Sequence, residues 1–215
     1  MTKGRLEAFS DGVIAIIITI TILEIGLPEG DDMRALITIL PLAVSYLISF
    51  IMVGTNWNNH HHLLQVAGSV DGKILWANLL YLFVLSFQPV ATGWVGRSRF
   101  APLPVRVYCL LNLAGSLSYI LLQKLILSTH DCEILKLAVS ESRKEMWTIC
   151  IEVLALVLSF FPGVHYVSCP LLVVAVMPWI IPDLRMKRVF EEPICQRDGS
   201  NVIKIEIPFN FLYYR

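Results

Sequence analysis

Two groups of polar residues lie within stretches of this sequence that are otherwise apolar. Arg5 and Asp11 flank the start of one stretch, and His60, His61 and His62 follow a long uncharged one. Histidine exchanges protons near neutral pH, and together with carboxylates it binds transition metals. Because consecutive helical residues point about 100° apart, three adjacent histidines cannot all bind one ion. We therefore predict histidines that bond to polar neighbours at a membrane edge, with no metal site and no cofactor.

Asp11 lies inside the first apolar stretch, and Glu152 is the only acid well inside a later one. An unpaired carboxylate within a bilayer is costly, so such residues mark a functional site or a buried pair. The candidate partners of Asp11 are Arg5, Trp57, Asn59, the three histidines and Asn78. The sequence offers no obvious partner for Glu152.

The elements that carry these residues are predicted from the composition. Of 215 residues, 56% are hydrophobic and only 16% are charged, and the mean hydropathy is +0.67. A soluble domain usually carries about a quarter charged residues. Four windows have no charged residue: 35–70, 74–96, 107–123 and 153–182. Such windows exceed or approach the roughly 20 residues that cross a bilayer as a helix, so the chain is predicted to be a multi-pass membrane protein.

Six spans fit these windows, so we predict an all-α membrane protein with six transmembrane helices. They cover approximately 6–27, 35–56, 74–95, 104–125, 145–161 and a last segment ending near 182. The six-helix transmembrane domain is predicted over residues 1–188, followed by a cytoplasmic C-terminal tail over 189–215. Basic residues near the span ends favour a cell-membrane orientation with both termini in the cytoplasm. The formal net charge of zero gives no indication of a nucleic-acid partner.

The first span has two different faces when it is wound at 3.6 residues per turn. One face collects Ile16, Ile20, Leu23 and Leu27. Thr19 borders this apolar face and Gly12 continues it towards the N-terminus, whereas Ser10 and Asp11 point away. One side of the helix is therefore apolar with a hydroxyl group set in it, and another side carries an acid.

Three stretches of the sequence resemble a known family. "RLEAFSDG", with Arg5, Phe9, Ser10 and Asp11, resembles the R-x-x-x-F-S-D signature of the transmembrane protein 175 potassium channels. "YLISFIMVGTNWNNHH" in the second span is similar to that family's Y-L-x-S-F…W-x-N-H-H stretch, with Trp57, Asn59, His60 and His61. "WANLLYLFVLSFQPVATGW" is similar to its third helix, with Asn78, Pro89 and Thr92. The last three spans match only in number and hydrophobicity.

This resemblance implies a potassium-selective channel that also passes other monovalent cations. It implies a homotetramer in the lipid bilayer, in which the first helix lines a central pore and K⁺ is the permeant ion. Ile16 would form the narrowest ring, with further apolar rings at Ile20 and Leu23 and a selectivity layer of Thr19 hydroxyl groups. The signature residues would form a structural network between helices: Arg5, Phe9, Ser10, Asp11, Trp57, Asn59, His60, His61 and Asn78.

Three other classes of function are alternatives to a channel. A proton-coupled or cation secondary transporter could use Asp11, Glu152 and the His60–His62 cluster, although transporters commonly contain internal repeats and none is visible here. An intramembrane enzyme is disfavoured because the sequence contains no H-E-x-x-H, G-x-S-x-G or paired intramembrane aspartate motif. The uncharged windows exclude a soluble binding module.

Overall fold

The structure, a computed structural model, describes residues 2–67, 70–128, 143–180, 195–198 and 201–204. Its helices are α1 (Lys3–Leu23), α2 (Met33–Val66), α3 (Gly72–Leu85), α4 (Gln88–Arg97), α5 (Pro102–Ser128), α6 (Arg143–Leu158) and α7 (Ser168–Ile180). A short 3₁₀ helix, His165–Val167, leads into α7. Two strands, β1 (Cys195–Asp198) and β2 (Asn201–Lys204), pair antiparallel.

The prediction of an all-helical membrane fold is confirmed. Four segments are long and apolar enough to cross a bilayer: α1, α2, the combined α3 and α4, and α5. The two remaining predicted spans correspond to α6 and α7, which have 16 and 13 residues. These helices are shorter than the roughly 20 residues of a full crossing. The described part of the chain therefore has six helical segments, of which four are long apolar spans.

The first helix is displaced from its predicted limits. It begins at Lys3 and ends at Leu23, before Gly26 adopts a left-handed backbone with φ of 67°. Glycine adopts this conformation without steric cost, and Pro28 then cannot continue a helix. Leu27 therefore lies beyond the helix, and its predicted place on the apolar face of α1 is wrong.

The third predicted span contains a break. α3 ends at Leu85, and α4 begins at Gln88 with Pro89 in its first turn. Proline is tolerated there because the first amides of a helix have no partner within it. Upstream, the Asp71 carboxylate accepts a hydrogen bond of 2.8 Å from the Ile74 amide and caps α3.

The helices pack with α1 against α2, α3 and α4, while α5 contacts α3, α4, α6 and α7. α4 and α2 approach each other closely at Gly96. A Cβ atom at Gly96 would lie 2.7 Å from the Cα atom of Leu42, so only glycine fits there.

At the end of α1, Arg97 of α4 forms an ion pair of 2.8 Å with Glu24. The start of α4 is joined to α2 and α5 through Ser49, whose hydroxyl group bonds to the hydroxyl groups of Thr92 and Tyr108.

The predicted tail is described only at its hairpin. The alternating pattern that begins at Asn201 forms β2, which pairs Ile203 with Gln196 and Lys204 with Cys195. The other residues of the tail lie outside the described ranges. Its separation from the helical domain at residue 189 stays a prediction.

Candidate functional site

The first helix has one buried face and one exposed face. Leu6, Ser10, Ile14, Ile17 and Thr21 are buried, at the i, i+4, i+8, i+11 and i+15 positions of one stripe. This spacing matches the 3.6-residue period of a helix that packs on one side only. The buried packing of α1 against the subunit therefore lies along this one stripe.

The opposite side of α1 is exposed in the subunit. It carries the exposed ridge, defined as Phe9, Gly12, Ile16, Thr19, Ile20 and Leu23. The Ile16 side chain is 57% exposed and that of Leu23 is 76% exposed. The shared face of Ile16, Ile20 and Leu23 is thus present in the structure, and no contact within the described part of the subunit covers it.

Two threonines of α1 each donate a hydrogen bond to a carbonyl of the preceding turn, but their surroundings differ. Thr21 is buried, and its hydroxyl group donates to the Ile17 carbonyl at 2.6 Å. Thr19 is exposed on the ridge, and its hydroxyl group donates to the Ile16 carbonyl at 2.9 Å. Because the Thr19 proton is directed at the backbone, the lone pairs of its oxygen remain available to a cation on the exposed side.

A buried hydrogen-bonded chain joins α1, α3 and α2. Asn78 donates through Nδ2 to Ser10 Oγ at 2.9 Å, and Ser10 donates to the Leu6 carbonyl at 2.9 Å. The Asn78 Oδ1 atom lies 2.7 Å from His60 Nε2. Since this oxygen can only accept, His60 must carry its proton on Nε2. The His60 ring also stacks on Tyr81, with a centroid distance of 5.2 Å.

Asp11 has its partners on α2. Trp57 Nε1 donates to Asp11 Oδ1 at 3.0 Å, and His61 Nδ1 lies 3.6 Å from Asp11 Oδ2. The Trp57 and His61 rings stack on each other with a centroid distance of 5.9 Å. The structure thus places Asp11 beside two of the partners that the sequence indicated.

Other signature residues lie outside these contacts. Arg5 and Phe9 are exposed, and among the described residues Arg5 forms no ion pair with Asp11. The Asn59 side chain donates to the Thr55 carbonyl within α2, and the Asn59 carbonyl accepts from the Tyr119 hydroxyl group at 3.2 Å. Asn59 thus joins α2 to α5, and the predicted network roles of Arg5 and Phe9 stay predictions.

Glu7 is a polar neighbour that the sequence interpretation did not single out. Its Oε1 atom lies 3.3 Å from His61 Nδ1, and one ligand atom each of Glu7, Asp11 and His61 lie within 4.8 Å of one another. The sequence pattern that could have indicated Glu7 is its i, i+4 spacing from Asp11, which places both carboxylates on one side of a helix. Trp57 already donates a hydrogen bond to one oxygen of Asp11. We therefore interpret Glu7, Asp11 and His61 as a contact between α1 and α2 and not as a metal site.

A second polar region lies away from the ridge, in a partly open cavity between α2, α5, α6 and α7. Glu152 lies there and accepts a hydrogen bond of 2.8 Å from Ser116. Glu145, also on α6, accepts one of 2.6 Å from Gln123. The structure therefore separates Glu152 from Asp11 and His61, and the residues of the predicted transporter site do not come together.

Comparison with known proteins gives consistent similarities. Residues 5–89 match the family model described as "Endosomal/lysosomal potassium channel TMEM175". A potassium channel of Chryseobacterium sp. (strain P1-3) is 45% identical over 193 residues, which are 89% of this chain and 100% of that protein. A potassium channel of Streptomyces collinus is 35% identical over 54% of this chain and 61% of its own length.

A solved structure is also similar. It is the crystal structure of a lysosomal potassium-selective channel TMEM175 homolog from Chamaesiphon minutus. The two chains are 25% identical and superimpose with a TM-score of 0.72, over 83% of this chain and 96% of the other.

Proposed function

Because this chain belongs to the TMEM175 family of potassium channels, we propose that it conducts K⁺ through a pore lined by the exposed ridge of α1. Membership of this family places the chain among multi-pass membrane ion channels and not among enzymes. The observation that carries the proposal is the exposure of Ile16, Ile20 and Leu23 opposite the buried stripe of α1. A pore at a subunit interface requires such an uncovered face.

The composition of the ridge favours a pore over a lipid contact. Gly12 and Thr19 interrupt its apolar side chains, whereas a lipid-facing stripe needs neither a missing side chain nor a hydroxyl group. In a homotetramer with α1 nearest the axis, four copies of Ile16 meet at one level. A ring of that kind narrows the pore and excludes water, so it acts as a hydrophobic gate.

Thr19 supplies the polar layer of this proposal. Four hydroxyl oxygens, each oriented by its bond to the Ile16 carbonyl, replace part of the hydration shell of a dehydrating cation. The ligands are neutral, so binding stays weak enough for the ion to leave. Such a layer gives a modest preference for K⁺ and still passes other monovalent cations.

The buried contacts of α1 then have a structural role. Ser10, Asn78 and His60 fix the rotation of α1 about its axis, and the bond from Trp57 to Asp11 fixes its position against α2. These bonds therefore determine which direction the exposed ridge faces, and in this proposal it faces the pore. Asp11 lies away from the ridge, so we assign it to this scaffold and not to ion binding.

Flux into liposomes tests the function directly. Purified protein is reconstituted with a K⁺ gradient, and ion movement is followed together with single-channel recording. A channel gives non-saturating flux and discrete current steps. Saturable flux that requires a proton gradient, without current steps, would instead support the secondary transporter with Asp11, Glu152 and the histidines. Cysteine labelling of the first residues in oriented vesicles tests the proposed cytoplasmic N-terminus.

A further inference from the structure

The cavity between α2, α5, α6 and α7 contains a carboxylate without a balancing charge. Glu152 is 1% exposed, and its Oε1 atom accepts from Ser116. Its other oxygen, Oε2, is buried and has no hydrogen-bond partner among the described residues. No lysine or arginine of the described ranges lines the cavity or pairs with Glu152. A buried carboxylate that has an unpaired oxygen and no balancing charge is costly unless it binds a cation or takes up a proton.

The second carboxylate in the cavity is in a different situation. Glu145 lies two helical turns before Glu152, or about 10 Å along α6. It is half-buried, accepts from Gln123, and lies close enough to Lys124 for an electrostatic interaction. The cavity therefore has a more accessible end at Glu145, where the charge is partly balanced, and a buried end at Glu152.

The walls of the cavity combine polar side chains with apolar and aromatic ones. Tyr119 and Trp179 line it, with their rings edge to face at a centroid distance of 6.2 Å. Trp179 already interacts with one cation, because Lys144 Nζ lies 5.9 Å from the centre of its ring. Aromatic rings next to a buried carboxylate form the type of site that binds an ammonium group carrying a hydrocarbon tail.

We propose that this cavity is a binding site, separate from the pore, for a small organic ammonium cation. The ammonium group donates to Oε2 of Glu152, and the tail packs on Ile149, Val176 and the rings of Tyr119 and Trp179. A bare metal ion would make no use of the aromatic rings of Tyr119 and Trp179. The half-buried end at Glu145 is the route of entry.

Calorimetric titration of the detergent-purified full-length protein tests this site. The probes are n-butylammonium, its neutral analogue 1-butanol, and K⁺, all at constant ionic strength. We expect saturable binding of n-butylammonium at one site per subunit and none of 1-butanol. Glu152→Gln should weaken binding at least tenfold, because the charge-assisted hydrogen bond is lost. Glu145→Gln, the matched control, should change the affinity less than Glu152→Gln does.

Two further variants distinguish binding in this cavity from binding in the pore and from a loss of binding caused by misfolding. Ile149→Phe fills the cavity without changing its charge and should abolish binding, and Ile16→Asn should leave the affinity unchanged. The proposal is overturned if n-butylammonium does not bind the wild type, in which case Glu152 is simply protonated. It is also overturned if 1-butanol or K⁺ binds equally well, or if a folded Glu152→Gln or Ile149→Phe protein keeps the wild-type affinity.

Discussion

The side chain of Asn78 on α3 donates a 2.9 Å hydrogen bond to the hydroxyl oxygen of Ser10 on α1, and both residues are fully buried. The same asparagine accepts from His60 on α2. One amide group thus connects three helices and bonds to two other buried polar side chains. Its two ends have different hydrogen-bonding roles, so a residue of the same size without an amide cannot replace it.

Replacement of Asn78 by leucine is therefore expected to destabilise the protein. Ser10 and His60 would each lose a buried partner, at a cost of about 1–3 kcal/mol for each unsatisfied group. The measurement is the thermal unfolding midpoint of the detergent-purified protein. Asn58→Leu is the control, because Asn58 is only half-buried on α2. Equal midpoints for the two variants would contradict a structural role of Asn78.

Replacement of Ile16 by asparagine is expected to raise single-channel conductance and to weaken discrimination between cations. In the proposed pore, the polar side chain would hydrate a ring that isoleucine would keep dry. Ile22→Asn is the matched control, because Ile22 is also exposed on α1 but points about 120° away from Ile16. If currents and reversal potentials are unchanged in Ile16→Asn, the constriction lies elsewhere.

Replacement of Thr19 by valine keeps the shape of the side chain and removes its oxygen. We expect the reversal potential under opposing K⁺ and Na⁺ gradients to move towards zero, because the neutral ligand layer is lost. Thr38→Val serves as the control, since Thr38 is exposed on α2 and also donates to a carbonyl of its own helix, that of Arg34. A K⁺ preference that survives in Thr19→Val would assign selectivity to another layer.

Replacement of Gly96 by alanine is expected to separate α4 from α2. The added Cβ atom would meet the Leu42 Cα atom at 2.7 Å, and a backbone atom cannot move aside as a flexible side chain can. Overpacking of this kind costs about 1–3 kcal/mol and should lower the unfolding midpoint. Gly115→Ala on α5, where nothing lies within 4 Å of the added atom, should not lower it.

The first helix was predictable because its period alone determines which residues share a face. Ile16, Ile20 and Leu23 fall together in any α-helix, and the structure leaves that face open. Leu27 was wrongly included because the end of α1 depends on the left-handed turn at Gly26 and on Pro28. Hydropathy does not distinguish the last turn of a helix from an apolar loop.

Contacts between distant segments were harder to predict. Trp57 was one of several possible partners of Asp11, and the sequence could not choose between it and Arg5. The pairing of Ser116 with Glu152 depends on the register of α5 against α6, which a single sequence does not encode in any local pattern. The cavity around Glu152 could not be predicted either, because it also depends on how α5 and α6 are aligned.

The close approach of Gly96 to Leu42 also bears on how the protein could move. α1 is tied near its start to α2, through Asp11 and Trp57, and at its end to α4, through Glu24 and Arg97. Since α2 and α4 touch backbone to backbone, both anchors belong to one rigid block. Sliding or rotation of α1 alone would break both. We therefore expect any change in the width of the proposed pore to come from tilting of whole subunits.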